Sequence, residues 1–196
     1  MSRTAGILAI ASLALVACVM QPRPQLTPIG GVIPPEVTLA GRWQLRGEGE
    51  DAERRIRESE CMSVSGIAKT VASVKRDRSR SRRGSDGPSV YVFLRTGNKL
   101  KITQTPYALF ISFDRSVVEE YRFKEHRIIN VGPIEADRAS GWQDGRYVIQ
   151  TLDSEGVLLQ ETYALESGGM VLVRTLSVIQ GDKEVLSLRQ AFDRVD

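Results

Sequence analysis

Beyond Ser89 the chain alternates short strand-like runs with turn residues, and few architectures accept that rhythm. Ser89–Arg95 (SVYVFLR) stops at Thr-Gly-Asn, and Lys99–Gln104 (KLKITQ) stops at Thr105-Pro106. Tyr107–Asp114, Val117–Phe123 and Arg127–Val131 follow. Asp144-Gly145, a strong hairpin signal, separates Ser140–Gln143 from Arg146–Leu152. Val157–Leu165 and Met170–Ile179 meet around Ser-Gly-Gly, and Glu184–Val195 follows Gly181-Asp182. Tight connections make sequential strands antiparallel neighbours. With Gly41–Arg46 added, the count is about ten, and a closed meander removes the edges that so many strands would otherwise expose. The expected fold is mainly β, an antiparallel meander closed into a barrel.

One stretch departs from this pattern. In Asp51–Lys75, Cys61, Val64, Ala68 and Val71 recur at three- and four-residue steps, the apolar stripe of a helix inserted after the first strand. Cys61 on that stripe is expected to be buried. Residues 19–40 hold five of the eight prolines and a Gly-Gly pair, so they read as a tether; its end, Val37–Ala40, is compatible with the start of the first strand. At ~3.1 Å per residue, an extended segment of this length reaches about 70 Å. Residues 41–196 then have the length of one domain with a real core.

The N-terminus sets the compartment. Arg3 precedes Ala5–Ala17, an uncharged apolar run of thirteen residues. A membrane span needs about 20 apolar residues, so this run has the length of a secretory h-region. Leu15-Val16-Ala17-Cys18 at its end resembles the bacterial lipobox. The resemblance implies cleavage after residue 17 and acylation of Cys18, which makes residues 1–17 a lipoprotein signal peptide. Val19, where retained lipoproteins carry aspartate, implies sorting to the outer membrane, with the domain facing the periplasm. Cys61 is then the one remaining thiol, and the mature chain forms no internal disulfide. The net charge of +3 falls to +2 without Arg3, too small an excess to argue for nucleic-acid binding.

Gly41-Arg42-Trp43 on the first strand, with Arg189 and Arg194 near the end of the last, resembles the lipocalin and calycin barrels. In that family the tryptophan closes the barrel floor and a basic side chain packs across it, which implies barrel-closing roles for Gly41, Trp43 and Arg189. A helical insertion directly after the first strand is more similar to the fatty-acid-binding proteins, where helices cover the mouth. Gly141–Tyr147, Glu161-Thr162-Tyr163 and Gly168-Gly169 look like bacterial lipocalin-like lipoproteins of no established activity. The resemblance implies binding of a small lipid by shape alone.

No residue pattern points to catalysis. His126 lies beside Lys124, Glu125 and Arg127, with no spacing that brings it a nucleophile and an orienting carboxylate. A usual zinc site needs several His or Cys ligands, and this chain offers His126 and Cys61; no metal or cofactor is expected. Lys75–Arg83 (KRDRSRSRR) has a local charge of +5, carried largely by Arg76, Arg78, Arg80, Arg82 and Arg83. Outside the cytosol this run is a solvated loop, or a patch for anionic headgroups or an acidic protein. Each basic residue near an anionic membrane contributes ~1 kcal/mol.

The strand faces bear on what the barrel holds. Leu172, Arg174 and Leu176 share one face of Met170–Ile179, but both faces are apolar enough to leave the inward side open. An inward Arg174 is either a buried partner for a carboxylate or a handle for an anionic ligand head, flanked by Leu172 and Leu176; an outward one is a rim arginine. The expectation is therefore a lipid-anchored, non-catalytic barrel that binds a small apolar or amphipathic ligand. The alternative is a filled barrel that contacts another envelope protein or anionic lipid headgroups.

Overall fold

Each strand-like run beyond Lys99 is a strand, and together with Gly41–Leu45 they form a ten-stranded antiparallel sheet. The structure is a computed structural model that describes residues 25–34, 36–47, 49–71 and 89–195, with the backbone alone for 62–71 and 89. Residues 1–17, Cys18 and the run from Arg76 to Arg83 lie outside the described residues, as do the side chains of Val64, Ala68 and Val71. In chain order the strands are β1 (Gly41–Leu45), β2 (Lys99–Gln104), β3 (Ala108–Phe113), β4 (Val117–Arg122) and β5 (Glu125–Val131). Then come β6 (Ile134–Gln143), β7 (Arg146–Asp153), β8 (Val157–Glu166), β9 (Val171–Gln180) and β10 (Lys183–Val195). At the β6–β7 hairpin, Asp144 and Gly145 both take positive φ (50° and 74°), as a two-residue turn with the strands' own twist requires.

The order across the sheet is β4-β3-β2-β1-β10-β9-β8-β7-β6-β5, so β1 joins the two ends of the chain. Trp43 pairs with Arg194 on one side and Leu100 on the other. The sheet curls until β4 and β5 face each other, but their backbones do not pair. This seam is closed near the β4–β5 turn by side chains alone. Ser140 Oγ donates to Arg122 O at 2.8 Å, and Tyr147 Oη donates to Tyr121 O at 3.1 Å.

Because β1 is short, β10 extends beyond it with a bare edge. Helix α1 (Gly49–Val71) lies along that edge: Arg55 donates to Ser187 O at 2.7 Å and Ser59 Oγ to Val185 O at 3.2 Å. Ala52 and Ile56 pack inward, and Ser59 is buried. Cys61, the one member of the expected stripe whose side chain is described, is exposed and not buried as the sequence suggested. Ser89–Phe93, expected as a strand, is a 3-10 helix. With the β10 edge taken, it lies across the barrel end, burying Val90, Tyr91 and Phe93 while the Val90 N–H bonds Asp153.

The proline-rich lead is not wholly extended into solvent. Residues 25–34 run as a strap over the outer face of β6 and β7, where Ile29 packs on Ala139 and Val148. The fit depends on two glycines. A Cβ on Gly31 would meet Trp142 O, and one on Gly141 would stand 2.2 Å from Ile29 O. The strap then turns to bring Leu39, fully buried, under the end of the barrel, its N–H bonded to Gln104.

Trp43 closes that end. It is 1% exposed, its indole N–H donates to Leu39 O, and the Arg194 guanidinium lies 4.2 Å above its ring. Arg194 is fixed in turn by Gly169 O and Ala40 O, each at 3.0 Å. A side chain at Gly41 would stand 2.6 Å from that guanidinium. The basic partner is Arg194 and not Arg189. Arg189 sits on the outward parity of β10, 58% exposed, and pairs with Glu166.

Two outcomes follow. Trp43→Ala should destabilise the protein by roughly 3–5 kcal/mol, the cost of emptying a buried large aromatic site, measured by chemical denaturation; a midpoint near that of the unaltered protein would remove Trp43 from the core. Gly141→Ala should unseat the strap and leave the barrel folded, seen as faster proteolytic cleavage within residues 25–34 with unchanged far-ultraviolet dichroism.

Candidate functional site

Arg174 points inward and is completely buried, together with Leu172 and Leu176 on the same face of β9. The expected site residues therefore meet inside the barrel, but not around a vacancy. Arg174 Nη2 donates to Glu161 at 2.6 Å and to Arg95 O at 2.8 Å, while Nε reaches Glu161 at 3.1 Å and Nη1 reaches Gln190 at 3.5 Å. Tyr163 Oη donates to the same Glu161 oxygen at 3.0 Å. Burial works against the Arg174 charge, but the Glu161 carboxylate overcomes it and holds its pKa above the ordinary guanidinium value. Burial also pushes the Tyr163 phenol well above its ordinary range, so it stays a donor.

This polar layer divides two apolar clusters. On the Trp43 side lie Leu100, Ile111, Phe113, Tyr147, Leu172 and Phe192 with their neighbours. On the helix side lie Leu159, Leu176, Val178, Leu186 and Leu188 against Val90 and Tyr91. The two walls touch across the layer, because the Arg174 guanidinium lies 5.2 Å from the Phe113 ring of β3. The lumen is bridged.

Sequence reasoning missed Glu161, the partner that decides what Arg174 does. Its inward parity with Leu159 and Tyr163 was the available signal. It also missed the environment of His126, whose Nε2 stands 3.0 Å from Asp137 Oδ2, an oxygen that also accepts the Leu26 N–H of the strap. These groups line an outer cleft of about 470 Å³ with Ser154 and Asp153. A second cleft, of about 430 Å³, opens along the β4–β5 seam and is lined by Arg95, Glu119, Arg127 and Arg138. Among the described residues no group of three or more His, Cys, Asp or Glu side chains is placed to hold a metal ion, and no helix is long and apolar enough to cross a membrane.

No family model matches the chain, and no curated protein sequence does. Among solved structures it is similar to lipid binding protein 8 of Caenorhabditis elegans at 12% identity and a TM-score of 0.47, with 82% of this chain and 99% of that one covered. It is similar to fatty-acid-binding protein 1 of Echinococcus granulosus at 14% identity and a TM-score of 0.43, covering 81% and 98%. A luciferase domain of the dinoflagellate Lingulodinium polyedrum aligns at 15% identity and a TM-score of 0.49, over 89% of this chain and 46% of that one. The strand order and register define the barrel independently of these likenesses.

Proposed function

We propose that the chain is a lipid-anchored envelope lipoprotein whose barrel is a filled, non-catalytic interaction module. One observation carries this reading: a hydrogen-bonded ion pair lies between two apolar clusters and bridges the lumen at that level. Attachment through Cys18 and residence in the bacterial outer membrane rest on the lipobox resemblance. The strap refines the geometry. Because Leu26 is bonded to the barrel wall, only residues 19–25 separate Cys18 from the folded body, and at ~3.5 Å per residue they reach about 25 Å.

The partner surface follows from the same corner of the molecule. Gln25 and Asp153 line one cleft, and Asp153 holds the N–H of Val90, the second residue after residues 72–88. Gln25 and Val90, which follow the anchor and the Arg76–Arg83 run in the chain, are thus brought to the same cleft. This supports contact of Arg76, Arg78, Arg80, Arg82 and Arg83 with anionic headgroups of the membrane that holds the lipid. The rival, a small apolar or amphipathic ligand inside the barrel, is favoured by the seam, which gives the wall one line that can part without breaking backbone bonds.

Cys18→Ser should abolish acylation and release the chain from the membrane fraction, checked by intact mass and fractionation; equal retention at an unchanged mature mass would remove the anchor. For the lumen, Arg174→Leu should cost about 3–5 kcal/mol by leaving Glu161 buried without its partner. Neutral lipids such as a monoacylglycerol or a long-chain alcohol should leave the thermal midpoint unchanged. A neutral lipid that raises the midpoint, an effect lost in Arg174→Leu, would replace the filled module with a carrier.

A further inference from the structure

The barrel contains a second nearly buried guanidinium whose surroundings contrast with those of Arg174. Arg138, on β6, is 4% exposed. Its Nε reaches Thr151 Oγ1 at 3.4 Å, and its Nη1 stands 3.7 Å from Glu119, beyond hydrogen-bonding distance. The guanidinium lies 5.2 Å from the Tyr121 ring. A guanidinium has five N–H donors, and a buried charge is stable only when such donors are met. Arg174 makes four hydrogen bonds through its three nitrogens, whereas Arg138 makes one, through Nε, beside its ion pair with Glu119.

The remaining donors belong to a side chain that lines the cleft along the β4–β5 seam. At this point no strand ladder crosses from β4 to β5, so the approach is open between two hydrogen-bonded walls. The charged residues of the cleft are Arg95, Arg127 and Arg138 against Glu119, a surplus of two positive charges. Glu119 is already engaged, since Arg95 Nε donates to it at 2.8 Å. Arg127 stands at the mouth, 43% exposed, holding Glu125. Phe93, Ile128 and Ile129 provide an apolar lining beside the arginines.

We propose that the β4–β5 seam is an oxyanion-binding site, with Arg138 as its anchor, for a carboxylate or phosphate carried on an apolar tail. The planar fork of Arg138 fits such a group in two-point fashion, and Arg127 adds charge at the entrance. The apolar residues beside it receive the first carbons of the tail. Arg138 has the inward parity of Ser140 and Trp142, so the site sits on the inner side of the seam, and Arg95, whose carbonyl accepts from Arg174, joins it to the buried ion pair.

The test uses the full chain in nanodiscs of zwitterionic lipid, titrated with octyl phosphate, octanoate, inorganic phosphate and octanol, and read by calorimetry. Both octyl anions should bind and octanol should not. Octyl phosphate should bind more tightly than inorganic phosphate; equal binding of the two would overturn the apolar tail and leave a site for free phosphate. Arg138→Gln should weaken anion binding at least about tenfold, as loss of a buried charged anchor does. Arg127→Glu, an exposed change that leaves the core intact, should weaken it as well. Glu119→Gln should strengthen it by removing the competing carboxylate, an effect that a purely structural role for Arg138 does not produce. No anion binding, or binding undiminished in both arginine variants, overturns the proposal, and Arg127→Glu keeps the test decisive if Arg138→Gln fails to fold.

Discussion

The Arg174–Glu161 ion pair is the constraint around which the interior is arranged. A charged pair in a low-dielectric lumen stays only when its remaining donors and acceptors are met, and here Tyr163, Gln190 and the Arg95 carbonyl meet them. Meeting them requires four elements to converge at one level: β8, β9, β10 and the segment that follows the Ser89–Phe93 helix. The same requirement fixes register. A one-residue slip of β9 would turn Arg174 outward and strand Glu161. The apolar layers above and below add most of the stabilising burial, but they are tolerant of exchange in a way that the polar layer is not.

The ends of the barrel are closed by different means. At one end a tryptophan, a guanidinium and the buried Leu39 make a floor in which each part fixes the next. Gly41 is required there because the stacked arginine occupies the space of its side chain. At the other end a helix and a 3-10 turn cover what the short β1 leaves bare. The outer wall is also occupied in part, since small residues at Ala139 and Gly141 let the strap lie flat against β6. A β-barrel wall with small outward residues is thereby converted into a docking face for the chain's own N-terminal lead.

Much of the architecture was legible in the sequence because strand alternation and turn chemistry are local signals. Asp144-Gly145, the nearly even spacing of the runs, and Gly41-x-Trp43 each correspond to the feature they suggested. The errors arose where one residue's fate depends on another far away. Ser89–Phe93 has strand-like composition, but with the β10 edge already covered it lies across the barrel end as a helix. Cys61 fits an apolar stripe, but the helix turns Ser59 toward Tyr91 instead. Arg189 and Arg194 differ by an odd number of positions, so one must face out and one in; Phe192, on the parity of Arg194, was the clue. Arg174 was ambiguous from its own strand and is resolved only by Glu161 on the next. The arginines at Arg76–Arg83 and Cys18 fall outside the described residues.

The meander has a consequence for the order in which the molecule is assembled. All neighbouring strands except those paired with β1 are joined by short turns, so most of the sheet can zip from local hairpins as the chain lengthens. β1 is the exception. Its floor needs Arg194 to bond the carbonyl of Ala40, 154 positions earlier. During synthesis from the N-terminus, Trp43 therefore waits without its stacking partner until Arg194 is made. Pairing of β1 with β10 is thus a late event, and a chain cut before Arg194 leaves Trp43 without its cover.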